Sequence, residues 1–238
     1  MKQFNISGDI ISNDDKWIYD WLEWEYSCPK NVAEALNNAN GDDIEVTINS
    51  GGGNVIAGSE IYTQLRSYKG NVNINIVYAA SAASVIAMAG KSKITPTGLF
   101  MIHNVSSGAS GDYRAMDHQS EVLRTANKAV ANAYKEKTGL SDKELQKMMD
   151  HETWLSAEDA VKRGFVDEVM FQQKSIPNLY NSASNHAINK DKLQELKQFI
   201  NKQKQQDKSQ TEDNLKEARK KEILLARLEL MKLEGKAL

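Results

Sequence analysis

The sequence predicts an α/β fold built from repeated βαβ units, on three observations. Short apolar strands alternate with helical stretches, and the links between them are rich in Gly, Ala and Ser. The order strand, glycine-rich turn, helix, strand recurs, as right-handed crossovers between parallel strands require. The stretch Asn71–Gly90, NVNINIVYAASAASVIAMAG, reads as a buried strand running straight into an apolar helix, with Ser81 at the junction. After Phe171 the composition changes. Residues 1–171 therefore read as the folded domain, 172–190 as a linker with Pro177 and many Asn and Ser, and 191–238 as a charged, helical and partly disordered extension.

Taken in order, Phe4–Ile11 carries apolar side chains at Phe4, Ile6 and Ile10 around Gly8 and reads as a first strand. Asp14–Trp24 sets Trp17, Ile18, Trp21, Leu22 and Trp24 at helical spacing. The tryptophans are expected in core or subunit packing, with a recognition surface as the other reading. Tyr26–Pro29 breaks the pattern, and Asn31 is read as the cap of a helix over Asn31–Asn38. Ile44–Ile48 alternates as a strand and ends in Asn49-Ser50-Gly51-Gly52-Gly53, followed by Asn54 and a helix over Val55–Ser67. Val72, Ile74 and Ile76 form the next strand and Ser81–Ala89 the next helix. Lys93–Thr95, closed by Pro96, and Leu99–His103 are read as two short strands. A Gly/Ser loop over Ser106–Gly111 precedes a long helix, Tyr113–Thr138, stopped by Gly139. Ser141 and Glu144 form a capping-box pattern for a helix reaching Asp150. Ser156 caps the helix Ala157–Arg163, Gly164 ends it, and Phe165–Met170 is a last strand. Beyond the linker, helices are expected over Asp191–Lys204 and Leu215–Leu233. From Leu215 onward seven Lys/Arg face four Asp/Glu, a solvated or partner-packed helix, with a basic membrane-surface helix as the other reading.

The formal net charge is −2, which provides no general attraction for nucleic acid or an anionic membrane. Cys28 is the single cysteine, so an intrachain disulfide is impossible, in keeping with a reducing compartment. The start MKQFNISGDI lacks the charge and apolar run of a signal peptide, and no 18-residue apolar stretch predicts a transmembrane helix. The expected location is the cytoplasm.

Three segments could carry chemistry together. The glycine turn after Ile48 exposes backbone N–H groups. It matches neither phosphate-loop pattern, and it could line an oxyanion site or simply be a tight turn. Ser81 stands at a helix N-terminus, where it is either a cap or a nucleophile. Ser84, one turn further in, is expected to bond the carbonyl of Ala80 or to pack among small residues. Of His103, His118, His151 and His186, only His103 closes a strand before a loop. No pair of histidines has metal-ligand spacing, so neither a metal nor another cofactor is expected. A serine, a histidine and an acid near residue 150 would suffice for nucleophilic acyl transfer.

The segments INSGGGNVIAGSEIY (48–62), AASAASVIAMAG (79–90), FMIHN (100–104) and TWLSAEDAVKRGFVDEV (153–169) resemble, in order and spacing, the Clp protease proteolytic subunit family over about residues 4–170. The AASAAS variant and the charged C-terminal extension look closest to the prohead, or head-maturation, proteases of tailed bacteriophages. The resemblance implies a crotonase-like fold, a serine endopeptidase and a homo-oligomeric ring, heptameric or stacked, joined through the long helix after His103. Carried over by position, Ser81 is the nucleophile, His103 the general base and Glu152 the third member, with Asp150 its rival. The backbone N–H groups of Gly53 and Ala82 are the oxyanion donors. Two departures stand out. Gly51 replaces a proline usual in the family, and the N-terminal segment that forms axial gating loops is almost absent, which argues against an ATP-driven unfoldase. The implied function is ATP-independent cleavage of phage scaffold or capsid precursors, in the host cytoplasm. The alternatives are an unfoldase-dependent degradative peptidase and a non-enzymatic assembly protein on the same fold.

Overall fold

The alternation I-E-V-T-I becomes the inner face of a central strand, β3 (Ile44–Gly53), in the computed structural model. Ile44, Val46, Ile48, Ser50 and Gly52 point into the core, while the residues between them are partly or fully exposed. The structure describes residues 1–172, with Gln194, Gln198 and Leu225 beyond them in helical conformation. The linker expected over 172–190, beyond its first residue, and the remainder of the two helices expected after it lie outside the described residues.

Around β3 the elements follow in the order β1 (Lys2–Ile10), α1 (Lys16–Leu22), β2 (Tyr26–Ser27), α2 (Pro29–Ala39), β3, α3 (Val55–Arg66), β4 (Val72–Ala80) and α4 (Ala82–Ile86). A 3-10 turn over Ala87–Ala89 leads into β5 (Lys91–Ile102). Then come α5 (Tyr113–Thr138), α6 (Asp142–Asp150), β6 (Thr153–Ser156), α7 (Ala157–Lys162) and β7 (Glu168–Val169). The strands form one sheet, β2-β1-β3-β4-β5-β6, with β7 also on β5. Every pairing is parallel except that of β6 with β5. This is a mixed α/β sheet with helices, and its core joins Ile6, Ile48, Ile76 and Phe100 of the sheet to Ile61 of α3 and Tyr134 of α5.

Several expectations are corrected. Helix α2 begins two residues before Asn31, because Pro29 occupies its first turn, where its missing N–H costs nothing; Cys28 is the flanking residue and no side chain caps the helix. The two strands expected on either side of Pro96 are one strand, β5. Its register against β4 jumps from Ile76–Ile94 to Tyr78–Leu99, so the residues around Pro96, which cannot donate to the ladder, bulge out of the pairing. Trp17, Trp21 and Trp24 are 69%, 78% and 59% exposed and lie outside the core of this chain. The strand expected over Phe165–Met170 shrinks to Glu168–Val169, since Phe165 and Val166 hydrogen-bond back to Ala160 as the closing turn of α7. Among the described residues no helix is long and apolar enough to cross a membrane.

Candidate active site

The parallel ladders decide which residues meet. Ser50 of β3 lies beside Ala79 of β4, and Ala80 lies beside Met101 of β5. The three parallel strands therefore end on the same side of the sheet and deliver Gly53, Ser81 and His103 at their carboxyl ends, where open α/β sheets bind ligands. Ser81 Oγ lies 2.7 Å from His103 Nε2. With the ring proton on Nδ1, the serine hydroxyl donates to Nε2 and the imidazole is placed to take its proton.

Ser81 adopts φ 55° and ψ −125°, a backbone region an L-residue enters at a cost of about 1–3 kcal/mol. Its neighbours hold it there. The Ser81 N–H donates to the Met101 carbonyl at 3.1 Å. The Ser81 carbonyl accepts from the N–H of Ser84 at 3.0 Å, from the N–H of Val85 at 3.4 Å and from Ser84 Oγ at 2.6 Å. Ser84 thus bonds the carbonyl of Ser81, not that of Ala80 as expected. Ala82 is the first residue of α4, so its N–H precedes the first intrahelical bond. The glycine strand is pressed against this turn. A Cβ on Gly52 (φ +98°) would come within 2.6 Å of Ser81 Cβ and 2.7 Å of the Ala80 carbonyl oxygen, and one on Gly53 (φ +144°) would strike the Ile10 carbonyl.

Gly53, Ser81, Ala82, His103, Val130 and Tyr134 line a cavity of about 220 Å³. A larger one, about 490 Å³, lies between α5 and α6 beside Asn127 and Gln146 and contains neither Ser81 nor His103. The smaller cavity is the candidate site because it holds the paired serine and imidazole. Tyr134 is the residue that the sequence reading missed. It is 1% exposed, and its hydroxyl lies 2.8 Å from Ser84 Oγ. Burial pushes its phenol pKa far up, with the Ser84 contact acting in the opposite direction, so the hydroxyl stays protonated at ordinary pH. The available signal was the buried spacing Val130, Ala133, Tyr134 on the inner face of α5.

Among the described residues no carboxylate is hydrogen-bonded to His103. Glu152 (φ 45°) accepts the Trp154 indole N–H at 3.1 Å, and Asp150 accepts from the Asn104 amide at 2.8 Å. Among the described residues the hydrogen bond recorded for the His103 ring is the one to Ser81. No three His, Cys, Asp or Glu side chains among the described residues are grouped to hold a metal ion.

Comparison with known proteins adds a family. The family model described as Clp protease matches residues 31–173. The ATP-dependent Clp protease proteolytic subunit 1 of Chlamydia abortus is 33% identical over 138 residues, which cover 55% of this chain and 71% of that protein. Its counterpart in Chlamydia caviae is 32% identical over 186 residues, covering 71% of this chain and 95% of that protein. Among solved structures, a ClpP1 mutant from Listeria monocytogenes superposes with a TM-score of 0.60 over 72% of this chain and 92% of that one. At 22% identity that likeness concerns the fold.

Proposed function

This chain belongs to the Clp protease family, and we propose that it is a serine endopeptidase in which Ser81 is the nucleophile, His103 the general base and Glu152 the residue that orients the imidazole. Family membership implies peptide-bond hydrolysis. The observation that carries the serine mechanism is the 2.7 Å approach of Ser81 Oγ to His103 Nε2 at the mouth of the cavity. In the cycle proposed, Oγ attacks the scissile carbonyl as its proton passes to Nε2. The carbonyl oxygen becomes an oxyanion facing the N–H groups of Gly53 and Ala82. The C–N bond then breaks, His103 returns the proton to the leaving amine, and water repeats the sequence on the acyl-enzyme to free the carboxylate and Ser81. Glu152 takes part once its carboxylate leaves the Trp154 indole and turns to His103 Nδ1; Asp150 is the rival for that position.

The finer reading is that the substrates are scaffold or capsid precursors of a tailed bacteriophage, cleaved without an unfoldase. It rests on the AASAAS motif and the charged residues beyond 191. We read the fold as crotonase-like, residues 1–171 as the catalytic domain, 172–190 as a linker and 191–238 as a charged, helical and partly disordered extension. The assembly proposed is a homo-oligomeric ring, heptameric or stacked. In support, Tyr113, Met116 and Val122 are exposed apolar side chains on the N-terminal half of α5. One observation favours a second reading, a degradative peptidase fed by an ATP-driven partner: the curated relatives carry "ATP-dependent" in their names. Mass spectrometry of the full chain and of Ser81→Ala after incubation with an unfolded protein tests the activity. Cleavage by the wild type without ATP supports the first reading, and cleavage of a folded protein only with ATP and an unfoldase supports the second. Equal cleavage by Ser81→Ala would sink both.

A further inference from the structure

The Ser81 carbonyl and the Ala82 N–H are opposite ends of one trans peptide plane, so whatever fixes the carbonyl also aims the N–H. Three donors converge on that carbonyl. Two are backbone N–H groups that α4 would supply in any sequence, and the third is the Ser84 hydroxyl, the shortest of the three at 2.6 Å. A serine hydroxyl has one proton. With it committed to Ser81, the 2.8 Å contact between Ser84 Oγ and Tyr134 Oη is made by the tyrosine donating. The chain of bonds runs from Tyr134 to Ser84 to the Ser81 carbonyl. It is enclosed, with Ser84 fully buried and Tyr134 nearly so, and hydrogen bonds polarise one another in such surroundings. Tyr134 comes from α5 and its ring is held edge-on against Phe165, so the chain ties the turn at Ser81 to a helix on another part of the core.

We propose that Ser84 and Tyr134 are positioning residues that hold the Ser81–Ala82 peptide plane and thereby aim the Ala82 N–H at the oxyanion. The proposal rests on the serine-peptidase reading above. It accounts for a polar pair inside a run of alanines and valines, where Ala and Phe would fill the same space. A peptide plane next to a residue at φ 55° has neighbouring wells available, and the hydroxyl chain deepens one of them.

The experiment uses the full chain and the variants Ser84→Ala and Tyr134→Phe. Each is read in three ways: kcat and KM on a fluorogenic peptide, inhibition by a peptide boronate, and the rate of Ser81 labelling by a fluorophosphonate. The boronate forms a tetrahedral adduct on the serine and reports the oxyanion site, whereas KM reports ground-state binding. Removing an oxyanion donor outright costs ~10²–10³ in kcat, so misaiming one is expected to cost roughly tenfold. The expected result is that both variants lose kcat and boronate affinity together by about that factor with KM unchanged, and that the double variant is no worse than Ser84→Ala, because the two act in series. Unchanged boronate affinity in folded Ser84→Ala overturns the proposal, as does a loss confined to melting temperature. Should Tyr134→Phe fail to fold, Ser84→Ala alone decides. A wild type that the fluorophosphonate does not label overturns the serine-peptidase reading and the proposal with it. A labelled wild type with indifferent variants overturns the proposal alone.

Discussion

Chain punctuation marks Ser81 and His103 as candidates, one at a strand-to-helix junction and the other at a strand end, but it leaves Ser81 a cap or a nucleophile; their roles are what the resemblance to the Clp protease family implies. The parallel register of β4 and β5 then does the rest, placing Ala80 beside Met101 and the reactive pair just past them. The third residue was harder to read. Whether Glu152 or Asp150 faces the imidazole depends on side-chain torsions and on neighbours such as Trp154 and Asn104, which spacing does not encode. Activity separates the two: Glu152→Ala is expected to lose about 10²–10⁴ in kcat, as loss of a histidine-orienting carboxylate does, while Asp150→Ala stays within a few-fold. The reverse pattern reassigns the role to Asp150. Gly52→Ala tests the close approach behind the serine. With a Cβ 2.6 Å from that of Ser81 at a positive φ, the variant is expected to fall by about 1–3 kcal/mol in denaturant stability and to label poorly with a fluorophosphonate.

At the scale of elements, turn and cap chemistry was the most legible part of the sequence. The capping box of Ser141 and Glu144, the stop at Gly139 and the Ser156 cap all stand where the residue types place them. Each is a local hydrogen-bonding decision, made within four residues. Pro96 misled because the propensity argument ends the strand there, whereas pairing on both sides of β5 carries it through a bulge. The glycine run was read as a turn for a similar reason. Gly51–Gly53 lack side chains, but β3 continues through them because Asp9 and Ile10 of β1 pair with Gly52 and Gly53. The cap of α3 has a measurable weight. Asn54 Oδ1 accepts the N–H groups of Ile56 at 2.9 Å and Ala57 at 3.0 Å. Asn54→Ala is expected to cost about 1 kcal/mol, a fall of roughly 2–4 °C in Tm by calorimetry. An unchanged Tm would show that packing alone holds the helix start.

For the described molecule, the last strand is tied to the sheet and to α5 through Asp167. Its carboxylate accepts the Ser92 N–H at 2.7 Å and pairs with Lys137 Nζ at 2.7 Å. Burial raises its pKa, but the Lys137 bond and the Ser92 N–H outweigh that and hold it below the ordinary carboxylate value. A carboxylate depressed in the folded state stabilises above its unfolded pKa and loses that contribution as pH falls through the folded one. Because the side chain is 37% exposed, solvent screens the pair, and the contribution is about 1 kcal/mol. Asp167→Asn should therefore lower urea stability by that amount near pH 7, and the gap should close as pH falls below the ordinary carboxylate range. A gap independent of pH would assign the effect to packing. The central claim is that the junction of β4 and α4 carries a nucleophile, and intact-mass measurement of the full chain after exposure to a fluorophosphonate tests it most directly. One adduct per chain, mapped to Ser81 and missing from Ser81→Ala and His103→Ala, is the predicted result. No adduct on the wild type, or an equal adduct on Ser81→Ala, contradicts it.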